Sequence, residues 1–179
     1  NLSGDNIVAV LNQGGLGSTG GNASSGTAQV SLLNGAQLNI AAAGPSLGTL
    51  VISTDATGGD GDTIGGDASA GISGLTATTN TQLNADAITV SANTFGGNNF
   101  TTGGDGGRAD GGTARAIFAD NTSVNVRLLD ILANSIAGEQ NFSSAGVASI
   151  DLLATGAAPE VNIADLTVRA NASGGILNT

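Results

Sequence analysis

The chain has 179 residues, a net charge of −10 and 30 glycines, and it lacks Cys, His, Met, Trp, Tyr and Lys. These absences exclude a disulfide framework, a thiol or histidine catalyst, a Cys/His zinc site, a lysine Schiff base and a phosphate-loop lysine, and the acidity is wrong for nucleic acid. Hydrophobic residues at 40% still suffice for a core, while no apolar run approaches the ~20 residues of a membrane helix.

The first predicted element is a strand over 7–12, with Ile7, Ala9 and Leu11 on its inward face and Asn12 closing it. A Gly-rich loop, 13–26, leads to a second strand with Ala28, Val30 and Leu32 inward. A short strand, 37–40, follows, with Leu38 and Ile40 inward around Asn39. The long pattern then returns at 50–55 (Leu50, Ile52, Thr54, closing on Asp55), followed by a second loop, 56–66. Ala68, Ala70 and Ile72 read as the next Ala-led strand, then Leu83 and Ala85 flank Asn84, then Ile88, Val90 and Ala92 lead to Asn93. After a third loop, 94–112, come Ala114, Ala116 and Phe118, then Val124 and Val126 around Asn125, then Leu129, Ile131 and Ala133 before Asn134. A fourth loop, 135–146, precedes Ala148, Ile150 and Leu152, then Val161 and Ile163 around Asn162, then Leu166, Val168 and Ala170 before Asn171. Period-two alternation marks each block as a strand with one buried face. The closing Asn or Asp is expected at a turn, where left-handed backbone is tolerated.

The short-block asparagines 39, 84, 125 and 162 set a period of about 40 residues. The strand types recur in fixed order, so the economical fold stacks like strand on like strand at about 4.8 Å. This predicts an all-β, right-handed parallel β-helix (β-solenoid), with three strands per coil of about 40 residues and Gly-rich loops on one side. The whole of 1–179 reads as a single segment of a much longer repeat protein. The asparagines of the short blocks should hydrogen-bond up the axis, and Asn12, Asp55, Asn93, Asn134 and Asn171 should line one corner.

Blocks such as 88–93 (Ile-Thr-Val-Ser-Ala-Asn), followed by a Gly/Asn/Asp-rich loop and Gly-Gly-Thr-Ala at 111–114, resemble the repeat-rich surface proteins of Gram-negative bacteria. These are the filamentous-haemagglutinin-like and autotransporter-passenger families. The resemblance implies a right-handed β-helix exported through the outer membrane and used for adhesion, aggregation or matrix building. It carries no catalytic residues to this chain.

Asp60, Asp62, Asp105 and Asp110 lie in Gly-Asp runs, but Thr63 and Arg108 stand where the calcium nonapeptide repeat needs Asp. A flexible acidic loop accounts for them, so no metal site is assigned. A polysaccharide-active β-helix would need clustered outward charges, for which Arg115, Asp130, Asp151 and Arg169 are the candidates. A cross-strand ion pair explains Arg115 and Asp151. The only aromatics are Phe95, Phe100, Phe118 and Phe142. Phe118 falls in an inward column and reads as core. The outward long-strand positions are too mixed for an ice-binding array, and the Asn-x-Ser/Thr triplets at Asn22, Asn99, Asn121, Asn141 and Asn171 arise by chance in this composition.

The expected function is therefore a structural and adhesive stalk of a large exported bacterial surface or matrix protein. No enzyme activity, catalytic residue, cofactor or metal is assigned. Partners are a host, neighbouring-cell or matrix surface, with end-to-end self-association possible and no nucleic acid or membrane span. The expected location is extracellular, on the cell surface. A self-assembling filament or layer subunit is the alternative, and a polysaccharide-active β-helix the third reading.

Overall fold

The computed structural model describes residues 2–3, 6–9, 12–15, 17–41, 48–101, 104–139 and 141–175. Among them there is no helix, and every paired strand runs parallel to its neighbour. The largest sheet has seven strands. Its centre is formed by Gln82–Ser91, Ser123–Leu132 and Glu160–Arg169. Here the predicted short and long blocks are one ten-residue strand, because no turn residue interrupts them. Pairing skips Asp86 and Arg127 and resumes at Ala87 and Leu128. In the first repeat the two blocks stay separate, as Gln37–Ala41 and Thr49–Ser53.

The Ala-led strands form a second sheet from Thr27–Leu32, Ile72–Ala77, Thr113–Ala119 and Val147–Leu153. Its register corrects one predicted column. Ser73, Leu75 and Ala77, rather than Ala68, Ala70 and Ile72, stand opposite Ala28, Val30 and Leu32. Ile72 is 53% exposed. Residues 68–72 imitate the Ala-x-Ala-x-aliphatic pattern, but the strand follows the glycine at 71, as its partners follow Gly26, Gly112 and Gly146. A one-residue correction applies to the first long block. Ile7 pairs with Val51 and Val8 with Ile52. Four consecutive apolar residues at 7–10 offer two alternating sets, so their pattern does not define a face. Leu11 lies outside the described residues.

Between the two large sheets lies the main core. Ile52, Leu75, Leu83, Ile88, Val90, Val124, Leu129 and Ile131 are fully buried, and Phe118 packs among them as expected. In the last described repeat the same columns are open: Leu152 is 57%, Leu166 50% and Val168 43% exposed. Buried hydroxyls close the core where it narrows. Ser73 Oγ donates to the Ser91 carbonyl oxygen at 2.5 Å and lies 3.0 Å from Thr54 Oγ1, while Ser25 Oγ donates to the Thr54 carbonyl. At the opposite corner Thr81 Oγ1 donates to Thr122 Oγ1, and Thr122 Oγ1 donates to the Ala119 carbonyl.

The Gly-rich segments are not open loops. They form a five-stranded ladder (Asn12–Gln13, Ala56–Thr57, Thr94–Phe95, Ser135–Ile136, Ala172–Ser173) and a four-stranded ladder (Ala23–Ser24, Ala68–Ser69, Ala109–Asp110, Ser143–Ser144). Beyond these, outgoing and returning chains meet along a seam of glycines. Gly138 N donates to Gly107 O, Gly107 to Gly97, Gly97 to Gly66, Gly66 to Gly59, Gly59 to Gly21 and Gly21 to Gly15. The seam is backbone against backbone. A Cβ on Gly97 would lie 2.0 Å from the Gly59 oxygen, and one on Gly107 would lie 1.9 Å from the Gly66 oxygen.

The left-handed backbone is found at a different corner from the one predicted. Positive φ occurs at Asn34 and Gly35, Thr79 and Asn80, and Asp120 and Asn121, between the Ala-led strand and the next strand. Asp55, Asn93 and Asn134 have ordinary backbone and use their side chains instead.

Candidate functional site

Four outward-facing arrays result from this stacking. The first is the predicted amide ladder. Asn84 Nδ2 donates to Asn39 Oδ1 at 2.5 Å, Asn125 to Asn84 at 3.2 Å, and Asn162 to Asn125 at 3.1 Å. Asn84 and Asn125 each donate to the repeat before and accept from the repeat after, so register and amide orientation are fixed together.

The second array ties side chains of one repeat to the backbone of the next. Asp55 Oδ1 accepts from Asn93 N, and Asn93 Oδ1 accepts from both Asn134 N and Asn134 Nδ2. Asn134 Oδ1 is buried without a partner among the described residues. Asn171 occupies the same column, whereas Asn12 pairs with Ala56 and is not part of it. Asn22, Asp60, Asp67 and Asp120 act in the same way, accepting from the backbone N–H of Asp67, Asn98, Arg108 and Thr155. The Thr155 N–H, followed by the Thr155 hydroxyl and with a smaller share from the Gly156 N–H, holds the Asp120 carboxyl below the usual aspartate range. No sequence signal separated these structural carboxylates from solvent-facing ones.

Third are the ion pairs. Arg115 Nε reaches Asp151 at 2.5 Å across adjacent strands, as predicted. Arg127 grips Asp86 through Nε at 2.6 Å and Nη2 at 2.7 Å where strand pairing lapses. That contact lowers the pKa of Asp86 and raises that of Arg127. Arg108 pairs with Asp110, which also accepts from Ser144. Asp110 thus sits in a hydrogen-bonded ladder, and Asp60 carries a backbone bond, in place of a loose acidic loop. Arg169 makes no ion pair among the described residues. The four outward charges that carbohydrate chemistry would need together are split between two sheets. Arg115 and Asp151 lie on the Ala-led sheet, and Asp130 and Arg169 on the seven-stranded one. Among the described residues no cluster of acidic side chains is placed to hold a metal ion, and no helix is long and apolar enough to cross a membrane.

The fourth array is a concave corner where the seven-stranded sheet meets the five-stranded ladder. A cleft of about 390 Å³ there is lined by Asn93, Phe95, Asn134, Ile136, Arg169 and Asn171. Phe95 and Ile136 are paired neighbours, 40% and 46% exposed, and form its apolar wall. The sequence placed Phe95 in a loop, because the two-residue strand Thr94–Phe95 is too short to show alternation. These features define an all-β protein of parallel strands stacked in sheets, with polar ladders and a shallow cleft along the stacking direction. Comparison with family models, curated proteins and solved structures finds no match to the chain.

Proposed function

We propose that the chain is a segment of a right-handed parallel β-helix that serves as a structural and adhesive stalk of an exported bacterial cell-surface or matrix protein. The observation that carries this reading is the unbroken like-on-like register, seen most directly in the hydrogen-bonded line Asn39–Asn84–Asn125–Asn162. Repeats of this kind add length by simple stacking, about 4.8 Å at a time, and the preferred hand of parallel crossovers makes the winding right-handed. The chain's net charge of −10 would keep neighbouring stalks apart and soluble. The outward ladders offer a repetitive, multivalent surface to a host, neighbouring-cell or matrix partner. In this reading the chain performs no chemistry.

Adhesion of protein-coated beads to bacterial and host cells tests the role. Beads that adhere above an albumin control support the reading. Beads that do not adhere, or reducing-sugar release from polysaccharides, overturn it.

A further inference from the structure

We propose that Asn34–Gly35 is a fold-gated deamidation site, at which the backbone nitrogen of Gly35 converts the Asn34 amide into an acid only while the first arc of the chain is open. Asn34 is the one asparagine that precedes a glycine. Both residues are exposed, on the arc between Thr27–Leu32 and Gln37–Ala41. The inference is independent of the display role.

The chemistry needs only water and the chain itself. Once hydroxide has taken its proton, Gly35 N attacks Asn34 Cγ. A Cγ–N bond forms, the Cγ–Nδ2 bond breaks, and Nδ2 takes a proton from water and leaves as ammonia. Water then opens the five-membered succinimide at either carbonyl, and nothing is oxidised or reduced. One product is aspartate at position 34. The other is isoaspartate, in which the main chain runs through the former side chain. Glycine favours closure because it has no Cβ to shield the attacking nitrogen. The matching arcs carry asparagine too, but Asn80 precedes Thr81 and Asn121 precedes Thr122, whose branched side chains crowd that nitrogen.

The folded arc holds the reacting atoms apart. Asn34 has φ 53° and Gly35 φ 83°, and Ala36 N donates to Leu33 O at 3.2 Å across them, as in a type I′ turn. In that turn ψ of the first central residue is about +30°, which sets Gly35 N on the far side of the Cα–C bond from the Asn34 Cβ. Ring closure requires the two to eclipse. Gly35 N is also engaged, donating to Thr79 O of the next repeat at 2.9 Å. Thr78 N donates to Leu32 O and Gln82 N to Ala36 O, so both ends of the arc are tied to the same neighbour. The modification therefore records time spent with this arc released. It also acts back on the stack. Isoaspartate adds a carbon to the main chain, and a two-residue arc of that length cannot keep both the Ala36–Leu33 and the Gly35–Thr79 bonds.

Peptide mapping by mass spectrometry, after incubation in mildly alkaline buffer with and without urea, tests this. In urea, Asn34 should convert before any other asparagine, and Gly35→Ala should slow its conversion by about tenfold or more. In the folded chain the conversion should be at least about tenfold slower than in urea. Chains deamidated in urea and then refolded, a mixture of aspartate and isoaspartate, should melt at a lower temperature than Asn34→Asp. A smaller difference between folded and unfolded chains, earlier conversion of another asparagine in urea, an unchanged rate in Gly35→Ala, or deamidated chains that melt together with Asn34→Asp would each overturn the proposal.

Discussion

Replacing Gly97 by Ala probes the glycine seam at its middle. The new Cβ would lie 2.0 Å from the Gly59 oxygen and 2.6 Å from its carbonyl carbon. Both atoms are backbone, so no side-chain rotation relieves the clash. The facing chain must retreat by about 1.4 Å to reach the 3.4 Å of ordinary contact. That movement breaks the bonds from Gly66 N to Gly59 O and from Gly59 N to Gly21 O, which are 2.8 and 2.9 Å long. Two lost backbone hydrogen bonds with poorly solvated partners cost about 3–5 kcal/mol together, at the upper end of single substitutions. Gly15→Ala is the matched control, since nothing lies within 4 Å of its Cβ position, and its effect should fall within about 1 kcal/mol of zero, stabilising if anything. Urea unfolding followed by circular dichroism measures both, with an unchanged m-value required for a clean comparison. If Gly97→Ala unfolds at the same midpoint as Gly15→Ala, the seam is not a close backbone contact.

Phe118→Ala should cost about 3–5 kcal/mol in the same assay, because a fully buried ring leaves a cavity between two sheets that cannot both collapse. Asn84→Ala removes two ladder bonds and Asn84→Asp only the one Asn84 donates. The first should therefore lower stability by about 1–2 kcal/mol and the second by about half of that. Asp86 and Asp120 have lowered pKa values in the folded chain, so their stabilisation is complete above the ordinary aspartate range. It disappears as the pH falls through their depressed values, below about pH 4. Thermal melts from pH 7 to pH 2 should show this loss, and it should shrink in Asp120→Asn, whose amide oxygen can still accept from Thr155 without titrating.

Column matching was most legible where bulky residues alternate. Leu83, Val124, Ile131 and Phe118 stand where the pattern put them, and the amide ladder followed from its recurring asparagine. The pattern misled where two registers were chemically similar. Ala68 and Ala70 imitate the Ala-led strand, yet Ser73 takes the inward place because its hydroxyl bonds Thr54 and Ser91. The first long block slipped by one residue for the same reason, its run of consecutive apolar side chains. Glycine segments were opaque for a different cause. Alternation is a property of side chains, and a layer held by N–H and C=O groups alone leaves no alternating trace. The corner cleft was missed because its walls come from strands two residues long, whose meaning depends on neighbours some 40 residues away.

Equivalent strands keep their partners although the spacing between matching asparagines falls from 45 to 41 to 37 residues. Unequal crossover between two such gene segments, cut at the same column, would rejoin the chain with every interstrand neighbour restored. Length can therefore evolve in whole units without any compensating substitution elsewhere.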